Sequence, residues 1–426
     1  MNTKINFGMA MLFLAVTSCS SDELEMVNQG PEITFNTSVS RATETTLSNL
    51  EEFYVYGHAE GYETLFIDGL TASKGNTSGY YTLSETKYWP NEIKNIEFWA
   101  ISGAPKENIS INTNGQQIED FAPKSYTIED NNSGKDHTDL IVAYTKAQSP
   151  NVQLTFHHAL SQISVKASTG TTPATAAESN GDENHIVKIK GAWLMNIAGK
   201  ATVSCDSEDK DDNGYMIWSQ GSTPSLYGYE FNEPTTLNHT FRGLLDKDDA
   251  NSNLMLIPQK LNEWNLSADG TSSNGGAYIL LLCRVELKHE GEKHPTGGSD
   301  DAVHIEDGYH YHQLFPYSDT YDQYAYGYTC VPLYNQDEQA PEWLKGKKYT
   351  YQLNMCGKSS GAGIYPPFEE LRGRVPEGKR GPYTYILGTN EAPDKKAGDP
   401  VLTKPIDFTV TIDEWEEGDT WNPMIP

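Results

Sequence analysis

The chain has 426 residues and a formal net charge of −28, with 25 Tyr and 8 Trp. So acidic a chain is a poor ligand for polyanions, because phosphate binding depends on Lys and Arg releasing counterions. Nucleic acid is therefore excluded as a partner, and the charge reads as a solvated, soluble surface.

In chain order, the first element is a short apolar run from Phe7 to Val16 behind Lys4. It is too short for a permanent membrane span and has the basic start and apolar core of an export signal. It ends at Val16-Thr17-Ser18-Cys19, which resembles the lipobox of bacterial lipoproteins. That resemblance implies a signal peptide over 1–18, cleavage before Cys19, acylation of Cys19, and a lipidated linker over 19–30. Losing Lys4 with the signal takes the net charge from −28 to −29. Ser20-Ser21-Asp22-Glu23 is similar to the acidic surface-export signal of Bacteroidetes lipoproteins.

Beyond the linker the dominant period is two, the mark of half-buried strands. Ile33, Phe35, Thr37 and Val39 alternate with polar residues, and Ser40-Arg41-Ala42 follows directly. The same alternation marks Phe53 and Val55; Ile96, Phe98 and Ala100; and Val152, Leu154 and Phe156. It resumes at Ile163 and Val165 after a phase shift near Ala159-Leu160, and closes the chain at Ile406, Phe408, Val410 and Ile412. No apolar helical pattern persists over three turns. The expected fold class is all-β, built as sandwiches. The polar stretch Gly170–Asn184 reads as a hairpin loop joining Ile163–Ala167 to Ile186–Ile189. The break at 207–214 (SEDKDDNG) places a domain boundary at 205/206, giving an N-terminal β-sandwich over 31–205 and a C-terminal one over 206–426. The second half carries a polar, Tyr-rich insertion over 304–330, and such insertions often carry function.

Several signatures then line up in order: Tyr88-Trp89-Pro90, Asp139–Ala143, Val152–Ile163, Leu256-Ile257-Pro258-Gln259, Trp343–Tyr351 and Phe408–Trp415. Together with the lipobox they resemble the fimbrillin family of Bacteroidetes, lipoprotein precursors of pilus subunits and cell-adhesion proteins, over nearly the whole mature chain. The resemblance implies two tandem transthyretin-like β-sandwich domains. It also implies removal of the first strand by an Arg-specific protease, for which Arg41-Ala42 is the matching site. The groove so opened is filled by a strand from another copy. The candidate donor is the C-terminal strand with Ile406, Phe408, Val410 and Ile412; the alternative is that this strand completes its own domain. The implied partners are other pilus subunits, the outer membrane through the lipid, and host or bacterial surface glycans or proteins. The implied place is the cell surface.

Chemistry-bearing motifs are few. His310 and His312 share a face if their segment is extended, but no further ligand pair stands at a recognisable spacing, so no metal and no cofactor are expected. Tyr309, Tyr311 and Tyr324 are candidate glycan contacts, the basis of an alternative reading as a glycan-binding lipoprotein. His157-His158 in a strand puts one ring inward. Gly357–Gly361 matches GxSxG, yet no helix can follow Pro366-Pro367, so it reads as a glycine-rich loop rather than a nucleophile elbow. His289 and His294 frame HEGEKH, one residue too long for a zinc-protease helix. No enzymatic activity is expected. Cys205, Cys283, Cys330 and Cys356 form no CxxC pair; disulfides and buried thiols both remain open.

Overall fold

The computed structural model describes residues 30–39, 49–76, 79–169, 184–206, 216–219, 221–247, 253–290, 302–334, 342–357, 360–389, 394–402 and 404–414. Nine strands come first: β1 (Thr34–Val39), β2 (Glu52–Ala59), β3 (Ile67–Lys74), β4 (Tyr80–Leu83), β5 (Ile96–Ser102), β6 (Ile109–Asn112), β7 (Gly115–Phe121), β8 (Ile141–Ala147) and β9 (Asn151–His158). Seven of them close on themselves in the order β1-β4-β3-β2-β5-β8-β9. The closure is uneven. β1 and β9 run parallel through six residue pairs, whereas β1–β4 and β8–β9 share only two each. The body is thus a sandwich with sealed edges. Its core holds Ile33, Phe35, Phe53, Phe98, Leu154 and Phe156, the inward members of the alternation read from sequence. Along β9 that alternation is unbroken, ending on a buried His158.

The chain then changes partners. β10 (Ser161–Ser168) pairs in parallel with a strand some 185 residues later, and β11 (Asn184–Ser204) enters a different sheet. After them come β12 (Ile217–Trp218), β13 (Ser222–Thr236), β14 (Arg242–Gly243), β15 (Asn253–Leu256), β16 (Gln259–Lys260), β17 (Tyr278–Glu290), β18 (Val303–Glu306), β19 (Tyr309–Phe315) and β20 (Ala325–Pro332). The series ends with β21 (Glu342–Trp343), β22 (Lys347–Asn354), β23 (Gly378–Arg380), β24 (Tyr383–Ile386) and β25 (Asp407–Glu414). One sheet runs β14-β10-β22-β25; a larger one runs β23-β24-β20-β17-β11-β7-β6. The core between them includes Ile163, Val165, Ile189, Leu194, Ile279, Leu281, Trp343 and Tyr351.

The chain is all-β, as expected; the helical pieces named among the described residues are single 3₁₀ turns. Two sequence expectations differ from this arrangement. β10 and β11 do not pair with each other, so the link between them is a crossover between sheets rather than a hairpin. Nor does one point divide the pairing: β6 and β7 already lie in the larger sheet beside β11, β8 and β9 return to the first body, and β10 leaves it again after Ala159-Leu160. Cys205, the last residue assigned to the N-terminal domain, is buried in a junction cluster with Trp99, Leu140, Val142, Leu160, Val203 and Ile257. A polar break in a pattern marks a loop; a domain limit is set by which strands pair, and that is non-local.

Candidate functional site

β1 is the strand that seals the N-terminal body. Phe35 projects into its core and meets Phe53 and Phe98 edge-to-face, with centroids 6.5 and 5.6 Å apart. Asn36 Nδ2 donates to Asn151 Oδ1 at 2.7 Å, and Ser38 Oγ to Thr155 Oγ1 at 3.3 Å, so polar side chains tie β1 to β9 as well. Without β1, the edges of β4 and β9 and the slot that holds Phe35 would lie open. Arg41 and Ala42, the expected cleavage site, and Cys19, the expected lipidation site, lie outside the described residues.

β25 lies at the end of its sheet, antiparallel to β22 from Lys347↔Glu414 to Asn354↔Asp407. The C-terminal strand thus completes its own domain here, the alternative weighed above. Its apolar side is buried unevenly. Ile406 is 6% exposed, Phe408 and Val410 are half-buried against the core, and Ile412 is 52% exposed. The entry to β25 is held by the glycine-rich loop that mimics GxSxG. Ser360 Oγ accepts the Asp407 N–H at 2.7 Å, and the Gly361 N–H donates to Pro405 O at 2.8 Å. A Cβ on Gly361 would fall 1.8 Å from Lys404 O, so only glycine allows the approach. The central Ser359 of that motif lies outside the described residues.

The Tyr-rich stretch is not a loop insertion. Its described residues form β18, β19 and β20, laid against β17 or against one another. Arg284, fully buried, anchors it: Nε donates to Glu286 Oε1 at 2.8 Å and Nη1 to Asp322 O at 2.5 Å, while the guanidinium lies over Tyr321. Tyr321 OH donates to Glu286 Oε1 at 2.7 Å. Burial alone would raise the Glu286 carboxyl, but Arg284 and Lys188 outweigh it and hold it below the ordinary carboxylate range. Tyr309 and Tyr311 face the Lys288 side, with its ammonium 3.8 Å from the Tyr309 ring centre and 5.4 Å from that of Tyr311. Tyr324 packs edge-on against Tyr383. The three candidate glycan contacts are therefore already engaged, two by a cation and one by a ring.

On the opposite face of the same strands, His310 and His312 meet His289 of β17. One ligand nitrogen from each lies within 4.8 Å of the others. The pairing of His310 with His312 was visible in the sequence; His289 was not, because only strand register brings it there.

His158 Nδ1 lies 2.6 Å from Asp139 Oδ2, and both side chains are buried at the end of β9. A cleft of about 610 Å³ opens between β12, β16 and β21, with Trp218, Pro258, Leu261, Trp343 and Lys345 in its wall. Its lining is gathered from these two-residue strands, the loops beside them and single residues of β11 and β13, and so leaves no periodic signal. Cys205, Cys283 and Cys330 are buried free thiols and Cys356 is a half-buried one; burial pushes the Cys205 and Cys356 thiols up to about 12, which keeps them inert.

These features define an all-β protein with one closed body sealed by its first strand and a second sheet edged by its last. The chain matches the fimbrillin-like family model over residues 40–282, more than half of its length. It belongs to the fimbrillin-like family. No curated protein sequence matches it. Among solved structures it is similar to the tip fimbrial protein Mfa3 of Porphyromonas gingivalis with C-terminal truncation (10% identity, 90% of this chain and 100% of that one, TM-score 0.37). It is also similar to a fimbrilin of Porphyromonas gingivalis (11%, 93% and 100%, TM-score 0.34). A third is a candidate cell-adhesion protein of Parabacteroides distasonis (8%, 91% and 100%, TM-score 0.43). These likenesses are distant, and membership rests on the family match.

Proposed function

We propose that this chain is a surface-exported fimbrial subunit or cell-adhesion protein, structural rather than catalytic, that assembles by strand donation after cleavage at Arg41-Ala42. Acylation at Cys19 would carry it to the outer membrane, and the cut would release the lipid together with β1. The observation that carries this reading is the difference in burial between the two terminal strands. On the inward face of β1 Phe35 is fully buried and Thr37 half-buried, whereas Phe408, Val410 and Ile412 are only partly covered in their own domain. A donated β25 would therefore bury more apolar surface in a neighbour's vacant slot than it buries at home, at about 25 cal/mol per Å² gained. Its main chain would restore the ladders to β4 and β9. The domains follow the same logic, with a sealed N-terminal acceptor and a C-terminal donor.

The test is treatment of the purified precursor with an Arg-specific protease. Laddered polymers should appear only after cleavage, and Arg41→Ala should stay monomeric. Removing residues 404–426 should stop chain growth while leaving the N-terminal body folded. A cleaved chain that loses β1 and remains monomeric at high concentration would overturn the proposal.

A further inference from the structure

The inner face of β17 is apolar along most of its length: Cys283, Val285 and Leu287 follow one another at every second position, and Phe315 of β19 joins them. At its end the pattern switches to imidazole. His289 pairs across the ladder with His310, and Leu287 with His312. Because side chains alternate along a strand, these pairings put His289, His310 and His312 on one face, with His289 and His312 related diagonally. His289 and His312 are 4% and 1% exposed, and His310 is half-buried. Grouping three imidazoles at the rim of an apolar core is costly for side chains that merely fill space, since each must shed water.

The His289 ring is oriented as a metal ligand's is. His289 Nδ1 lies 3.1 Å from Glu290 O. A carbonyl can only accept, so Nδ1 carries the proton and Nε2 keeps its lone pair. Metal-binding histidines are held in this way, one ring nitrogen donating to a backbone carbonyl while the other faces the ion. That Nε2 points at His312 Nε2, 2.9 Å away, with the rings stacked at 5.0 Å. In the metal-free protein a His312 proton fills the gap. Two nitrogens bound tetrahedrally at about 2.0–2.1 Å would stand about 3.3 Å apart, so a small outward turn of one ring admits an ion. The third nitrogen is already within 4.8 Å.

We propose that His289, His310 and His312 form a binding site for a divalent transition-metal ion of the zinc class, with water in the fourth position. Three neutral nitrogen donors suit zinc and its neighbours and do not suit calcium or magnesium, which take oxygen. Binding releases the His312 proton to solvent and leaves the oxidation state of the ion unchanged. The bound ion would pin β19, and through it the β18–β19 hairpin, to the end of β17. This site is independent of strand donation, since neither β1 nor β25 contributes to it.

The experiment uses the full chain carrying no histidine affinity tag, stripped with a chelator and titrated with zinc by calorimetry and with cobalt by visible absorption. One equivalent should bind, cobalt should develop the intense bands of four-coordination, and excess calcium should not displace it. His310→Ala, at a half-exposed position, and His289→Gln should each weaken zinc binding by about a hundredfold or more, as expected for loss of a direct ligand. His304→Ala, on the other face of the hairpin, should leave it unchanged. Absence of a stoichiometric zinc equivalent in the wild-type chain overturns the proposal, whatever the variants do. So does binding that survives His310→Ala and His289→Gln in chains whose circular dichroism is native, or that calcium displaces.

Discussion

The first and last strands of this protein are written in nearly the same way, and the structure treats them differently. Both β1 and β25 are short, both alternate apolar with polar residues, and both have Phe near the middle of the apolar row. β1 is clasped between two neighbours, with Phe35 fully buried, while β25 has one partner and an apolar side that emerges into solvent towards Ile412. The difference lies in the surroundings rather than in the strands. A strand that closes a sandwich is locked by two ladders and a core. A strand at an edge is held by one ladder and a partial face, and its unpaired edge can recruit another chain. On the proposed reading such a pair suits exchange: the locked strand would leave only after cleavage, and the loosely held one would be donated.

Five measurements break or sharpen that comparison. The largest effect belongs to Phe35→Ala, which should cost about 3–5 kcal/mol in denaturant-induced unfolding, since it empties the centre of a closed aromatic cluster. A cost near that of a surface change would mean β1 is not locked. Next is Asp139→Ala, which removes the carboxylate bonded to His158 Nδ1 at the end of β9, the strand β1 leans on; about 3 kcal/mol should be lost, as for one partner removed from a buried pair. Phe408→Ala follows at about 1–2 kcal/mol, because its half-buried ring forfeits only part of the transfer term. Equal costs for Phe35→Ala and Phe408→Ala would erase the proposed asymmetry.

The fourth is a pH effect at His137, between β7 and β8. Burial lowers the His137 imidazole below its ordinary 6.5, and its Nδ1 accepts the Met255 N–H while Nε2 donates to Lys124 O. Below 6.5 the unfolded chain gains a proton that the folded one resists, so stability should fall as pH drops through 6.5 and be fully present above it. A urea series between pH 7.5 and 5 should reveal this, and His137→Gln should flatten it. Smallest is Ile412→Ser, which should change folding stability by less than about 1 kcal/mol, because the residue is already half in water. Polymer yield after Arg cleavage should nevertheless drop sharply, and unchanged polymerisation would remove Ile412 from the donor face.

Much of the fold is legible in the alternation. The inward residues of β1, β2, β5 and β9 are those that reach the first core, and the period of two is cleanest in β9, whose other face is exposed, whereas the outer face of β5 is covered at Trp99 and Ile101. The phase shift at Ala159-Leu160 was also legible: β9 ends there and β10 begins in another sheet. β17 hides more, since it is buried on both faces and reads as a continuous apolar run. The Tyr-rich segment looked like an insertion because its polar residues are satisfied by Arg284 and Glu286, which lie some thirty residues upstream. His289 had no sequence signal at all beyond a failed protease motif.

Local chemistry by itself determined that this is an acidic, all-β chain, because charge and periodicity are properties of neighbouring residues, and its ordered short motifs carried the resemblance to fimbrillins. Only the tertiary structure decided that β1 seals one body, that β25 edges the other, and that three imidazoles converge. Those depend on register between strands far apart in the chain, and a ladder between distant segments leaves no mark on either segment alone.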